Sequence, residues 1–292
     1  MTCTQACLTY RPRIQYNHKR RHRTPMPQNT LGLLLPAILL SLTGGSALAA
    51  DTGAQARQFE LTLDRQLSAL TNVVCHEEIE RYARKGKTTN QLDTLDANVE
   101  LLNGVEGYSA IREERKPLRL FQLPSLLQTF SFRAMAEVPG TWSVGEIVTL
   151  LRIVRNAIGE RAVQVRQDVS SNLGPATLLT FTYPASSQRW YLKRNTQTHW
   201  MPFEGRVWIS PETGEILRVC WRANDLPAEA GVSEVLWTVD FSPVDLSSRV
   251  LSVPAEAVFQ ITYSSGNRVD WNVTHFSEYR RYGSGSAIHF DR

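Results

Sequence analysis

Residues 233–241 read Ser-Glu-Val-Leu-Trp-Thr-Val-Asp-Phe, with Val235, Trp237, Val239 and Phe241 at every second position. A period of two puts those four side chains on one face of a β-strand, with Thr238 and Asp240 on the other. The pattern continues downstream over residues 249–263, 270–281 and 286–290. Upstream, residues 205–209 and 215–222 face each other across Pro211-Glu212-Thr213-Gly214, a turn with Pro and Gly in suitable places. Before them come strand-like runs at 162–170, 176–184 and 188–194, and earlier still at 73–84, 91–102 and 106–115. Asn103-Gly104 sits between the last two, and Asn-Gly tolerates the positive φ of a tight hairpin. About eleven strands in sequence-adjacent order, mostly too close for parallel crossovers, predict an antiparallel meander.

Two stretches keep a helical period instead. Phe59, Leu63, Leu67 and Leu70 predict a helix over residues 55–70. Ser143-Val144-Gly145-Glu146 has the spacing of a capping box, in which the Ser hydroxyl accepts from the third helical amide and Glu146 reaches back. Val144, Ile147, Val148, Leu151 and Val154 form an apolar stripe behind it, so a helix is expected over 143–158, ended by Gly159. A third, short helix is expected at 125–130. Helices with one apolar face need a partner, and a curved sheet offers its concave side. The expected fold is α+β: one curved antiparallel sheet, a half-barrel, covered by two or three helices.

The 292 residues are 42% hydrophobic and 21% charged, ordinary for a globular chain and incompatible with collagen, a coiled-coil rod or complete disorder. The net charge of +4 is unevenly placed. Residues 1–49 hold Arg11, Arg13, Lys19, Arg20, Arg21 and Arg23 and no acid, leaving 26 bases against 28 acids in the remainder. A nucleic-acid partner is therefore not expected. The basic stretch is followed by the apolar run LGLLLPAILLSL at residues 31–42 and by Ala47-Leu48-Ala49. These are the three parts of a secretory signal peptide, and the run is too short, and too interrupted by Pro36, to span a bilayer. Residues 1–49 are expected to be a leader cleaved near Ala49, and residues 50–292 one exported domain, periplasmic or extracellular, with at most peripheral membrane contact. Met26 is an alternative start, and the oligomeric state is open. After cleavage Cys75 and Cys220 remain, a possible disulfide in an oxidising compartment.

Candidate chemistry is sparse. His76, Glu78 and Glu80 share one side of a strand, but a solvated charged face accounts for them better than a metal site, and H-E-x-x-H fails at Glu80. Gly283-Ser284-Gly285-Ser286 is not a nucleophile elbow. His199, His275 and His289 are scattered, and no phosphate-cradling or CxxC motif is present. Neither a catalytic residue nor a cofactor nor a metal is expected. The aromatic residues are more informative: Trp142, Phe181, Trp208, Trp221, Trp237 and Trp271 either fill the core or line an apolar cavity under the helix at 143–158.

Several tracts resemble a group of uncharacterised exported bacterial proteins. They are Leu92-Asp93-Thr94-Leu95, Asn103-Gly104-Val105-Glu106-Gly107-Tyr108, Gly140-Thr141-Trp142-Ser143-Val144-Gly145-Glu146, the run from Phe203 to Arg218, and Phe276-Ser277-Glu278-Tyr279-Arg280-Arg281-Tyr282-Gly283. More remotely, the strand order and the run from Gly205 to Arg218 resemble the lipoprotein-carrier superfamily, the LolA-like and RseB-like half-barrels. That resemblance implies a curved sheet and helical lid enclosing a site for acyl chains, with lipid or lipoprotein as partner. The expected function is a non-catalytic exported protein that binds an apolar ligand. A protein–protein or envelope-sensing module and an envelope hydrolase are the alternatives; convergent carboxylates would favour the hydrolase.

Overall fold

The alternation at 233–241 is realised in β11 (Val232–Asp245), where Val235, Trp237, Val239 and Phe241 all enter one apolar core. The computed structural model describes residues 45–281 except 103, 116–130, 133–137, 139, 195–196 and 247–248, with side chains from residue 53 other than those of 115, 131–132, 168 and 170. The chain separates into two units, Met1–Gly53 and Ala54–Arg292, and the sheet and the helical residues from Ala54 onward belong to the second.

The first wing of the sheet consists of β1 (Val73–Lys85), β2 (Thr88–Leu102), β3 (Val105–Arg115) and the two-residue β4 (Ser131–Phe132). Gly104, at φ +73°, makes the expected turn between β2 and β3. The second wing consists of β5 (Gln164–Ser171), β6 (Gly174–Tyr183), β9 (Phe203–Ile209), β10 (Ile216–Ala223), β11, β12 (Val250–Tyr263) and β13 (Arg268–Arg281). Together they form an 11-stranded sheet in the order β4-β3-β2-β1-β13-β12-β11-β10-β9-β6-β5. Every pairing is antiparallel. The sheet is large, curved and unclosed, an α+β half-barrel. The expected strand at 286–290 and helix at 125–130 lie outside the described residues.

The topology departs from a plain meander twice. Strand β1 pairs with β13, joining the wings through the first and last described strands. Residues after β6 leave the sheet as a separate hairpin of β7 (Tyr191–Arg194) and β8 (Gln197–Trp200). The wings end at opposite edges, β4 and β5, so the chain linking them has to travel from one edge of the sheet to the other. On that link lies α2 (Thr149–Gly159), and α1 (Gly45–Ala69) precedes β1. Eleven residues make a marginal helix alone. Burial of Leu150, Leu151, Ile153, Val154 and Ile158 stabilises α2, at ~1.5–3 kcal/mol per large side chain.

The helix start corrects the sequence expectation. Gly145 sits at φ +97°, outside helical space, and residues 146–148 form a turn, so α2 begins at Thr149 rather than Ser143. The capping box does not form, because Ser143 donates its hydroxyl to Glu146 Oε1 at 2.6 Å. The helix is capped from the neighbouring sheet: Glu106 Oε1 on β3 accepts from the amides of Val148, at 2.5 Å, and Thr149, at 3.1 Å.

Candidate functional site

The concave face of the second wing is built from aromatic rings in mutual contact. Trp221 meets Trp237 at 5.2 Å between ring centroids and Phe203 at 5.1 Å, while Trp190 stands 5.6 Å from Trp221 and 6.2 Å from Trp237. Phe181 and Phe259 extend the group along β6 and β12. Gly205 makes this packing possible. It pairs with Trp221 on one side and Phe181 on the other, and a Cβ there would collide with the Phe181 ring. The Nε1–H groups of Trp221 and Trp237 are buried without a hydrogen-bond partner, an arrangement that costs ~1–3 kcal/mol per group unless something accepts from them.

Of the six aromatic candidates, the structure gathers Phe181, Trp221 and Trp237 on this face. Trp142 packs beside a smaller cluster of Ile79, Leu95, Ala97, Ile111 and Val138. Trp208 lies between Val207 and Ile209, both of the concave core, and so points through the opposite face. Trp271 also leaves the concave side and stacks on Tyr82 at 5.3 Å. Trp190, on the hairpin excursion, was not among the candidates, because nothing in its local pattern tells that the loop folds back over the sheet. An open cleft of about 600 Å³ runs beside α1, lined by residues that include Leu61, Arg65, Gln66, Thr213 and Arg249 and by none of the six aromatics.

Cys75 is a buried free thiol, so the possible Cys75–Cys220 disulfide is absent. Cys75 belongs to the concave core with Val73, whereas Cys220 alternates with Val219 and Trp221 and faces the other side of the sheet. Three strands, β13, β12 and β11, also stand between them. Burial, and next Glu77, push the Cys75 thiol up to about 12, leaving it protonated and unreactive.

Sequence reasoning assigned His76, Glu78 and Glu80 to a solvated face, and all three are half-buried on the outward side of β1. Their alternating neighbours, Cys75, Glu77, Ile79 and Arg81, point inward and are buried. Arg81 is compensated: its Nε and Nη2 each donate to Asp93 at 2.5 Å, with Glu113 at 3.7 Å. Glu77 is not. It has no exposed surface, it lies between Ala97 and Phe276 in the ladder, and neither carboxyl oxygen has a partner.

Two further carboxyls gather near Glu77. Glu106 Oε2 and Glu146 Oε2 are likewise buried and unpartnered, while the two Oε1 atoms are engaged by the amides of α2 and by Ser143 respectively. Tyr108 and Tyr279 complete the group; the Tyr108 hydroxyl accepts from the Gly145 amide at 3.3 Å. Two β-bulges put the tyrosines there. Ala110 on β3 and Glu278 on β13 are extra residues at φ +51° and +53°, and each reverses which alternate positions face inward. Tyr108 and Ile111 therefore both face in, as do Phe276 and Tyr279.

Burial, then the charge of Glu146, holds Glu77 well above the ordinary carboxyl range. Burial also raises Glu106, opposed by the amides of α2. Glu146 is pushed up to about 7, mainly by burial and against the Ser143 hydrogen bond. Among the described residues no Lys, Arg or His is hydrogen-bonded or ion-paired to any of the three, and no group of His, Cys, Asp or Glu has an arrangement suited to a metal ion. No described helix is long and apolar enough to cross a membrane.

No protein-family model matches the chain, and no curated protein does. Among solved structures the chain is similar to a DUF1329 family protein from Desulfovibrio piger, at 8% identity and a TM-score of 0.36, over 80% of this chain and 94% of that one.

Proposed function

We propose that the protein is an exported binding protein that holds an apolar ligand, a lipid, acyl chain or lipidated partner, against the concave face of the half-barrel without transforming it. The observation that carries this reading is the ring-built concave face with the unpartnered indole N–H groups of Trp221 and Trp237. An apolar chain matches the rings, and a carbonyl or hydroxyl oxygen on the ligand would accept from an indole. The rings touch one another in the present state, so loading separates α2 or the Trp190 hairpin from the sheet. The resemblance to lipoprotein-carrier half-barrels and the leader-like residues 1–49 belong to the same proposal.

The three clustered carboxyls favour a second reading, an envelope hydrolase. Hydrolysis needs an acid and a base both free to exchange protons with substrate and water, and two of the three carboxyls are already held in structural hydrogen bonds, Glu106 by the amides of α2 and Glu146 by Ser143. Binding therefore ranks first.

Titration with decanol, a neutral amphiphile, tests it through tryptophan fluorescence. A saturable change at micromolar to sub-millimolar concentration, altered in Trp237→Phe, is expected. An unchanged spectrum overturns the reading and leaves the sheet as a scaffold for protein contacts.

A further inference from the structure

Three buried glutamates gather at the border of the concave core; the Tyr108 hydroxyl stands beside Glu106 and Glu146, whereas both carboxyl oxygens of Glu77 accept from nothing among the described residues. Glu106 and Glu146 have evident structural duties, one capping α2 and the other bound by Ser143. Glu77 has none. It arises from a different strand, it is wholly buried, and both its oxygens are unpartnered. The contrast with Arg81, Asp93 and Glu113 a few positions along the same strands is direct, since there the buried acids meet a guanidinium. A fold that supplies an internal cation to one acidic group and none to the next leaves the second to be satisfied from outside.

We propose that Glu77, Glu106 and Glu146 form a seat for the primary ammonium group of an amphipathic ligand. A primary ammonium brings one positive charge and three N–H donors, which answers both the missing charge and the unpartnered oxygens. A carboxylate or phosphate head would add a like charge to the cluster and is excluded. The alkyl part continues from the seat onto apolar surface, because Cys75, Val148 and Phe276 belong to the concave core and Tyr108 and Tyr279 pack against it. Glu106 and Tyr108 are the half-buried members of the group. The seat thus extends the binding reading, on which it rests, by naming the polar end of the ligand.

The two claims separate in one experiment on the mature chain at pH 8, comparing decylamine, decanol and decanoate by tryptophan fluorescence or calorimetry. The seat predicts that decylamine binds roughly tenfold or more tightly than decanol, the usual scale of a charge-assisted hydrogen bond, and that decanoate binds weakest. Glu77→Gln should remove that preference while decanol binding persists, the persistence showing that the variant is folded. Equal affinity for decylamine and decanol, or a preference that survives Glu77→Gln, overturns the seat and leaves the binding reading standing. Failure of all three amphiphiles overturns both.

Discussion

Glu77 shows how a single side chain can escape a sequence reading that places its neighbours. The solvated-face reading concerned His76, Glu78 and Glu80; Glu77 falls on the alternate face with Cys75, Ile79 and Arg81, which all point inward. The period-two signal was present; the bulges at Ala110 and Glu278, which bring Tyr108 and Tyr279 alongside, have no local signature because they arise from register between strands. At this scale the buried cluster has a stability signature. Glu146 is held at about 7 in the folded protein against 4.5 in an unfolded chain, so its neutral form is favoured by folding. That stabilisation is fully present below the unfolded value and is lost as pH rises through the folded one. Cys75 and Glu77 on β1, Glu106 and Tyr108 on β3, and Tyr279 on β13 surround it, and Glu77 shifts in the same direction. The unfolding free energy from urea titrations should fall between pH 5 and pH 8, by roughly 2–3 kcal/mol for a group of this shift. Glu146→Gln should flatten the slope; a slope identical to that of the unmodified protein contradicts the burial of Glu146.

Elements were legible where one face is apolar and obscure where a partner decides. The strands from β9 to β13 begin and end within a few residues of their sequence expectation, since both alternation and turn chemistry mark them. The start of α2 was missed because its cap comes from Glu106, 43 residues before Thr149, rather than from Ser143. Glu106→Ala should therefore destabilise the fold by ~1 kcal/mol, the usual worth of an N-terminal cap, read as a lower urea midpoint. Ser143→Ala should act instead through the lost hydrogen bond to Glu146, by ~1 kcal/mol. The packing of β6, β9 and β10 depends on Gly205, and Gly205→Ala should cost ~1–3 kcal/mol by displacing the Phe181 ring. An unchanged thermal midpoint in Gly205→Ala would mean that Phe181 does not lie over that strand.

Across the whole second unit, the eleven-stranded sheet depends on a closure between sequence-distant strands, β1 and β13. The half-barrel class followed from strand count and short connections, while this closure did not, because pairing between first and last strands is invisible to local pattern. A chain ended before Arg268 lacks the strand that joins the wings and should lose cooperative unfolding by circular dichroism; retained cooperativity would show that the wings are independently stable. The same sheet presents the feature on which the proposed role depends, a concave apolar face packed against two helices. Each buried CH₂ contributes ~0.8 kcal/mol, so a long-chain ligand should survive purification. The most direct measurement is mass spectrometry of small molecules extracted from protein isolated from the cells that make it. A long-chain lipid or acylated molecule in near-stoichiometric amount is expected, carrying a primary amine if the glutamate seat is occupied. Protein that emerges free of any such molecule, and whose tryptophan fluorescence then ignores added decanol, would contradict a ligand-binding role.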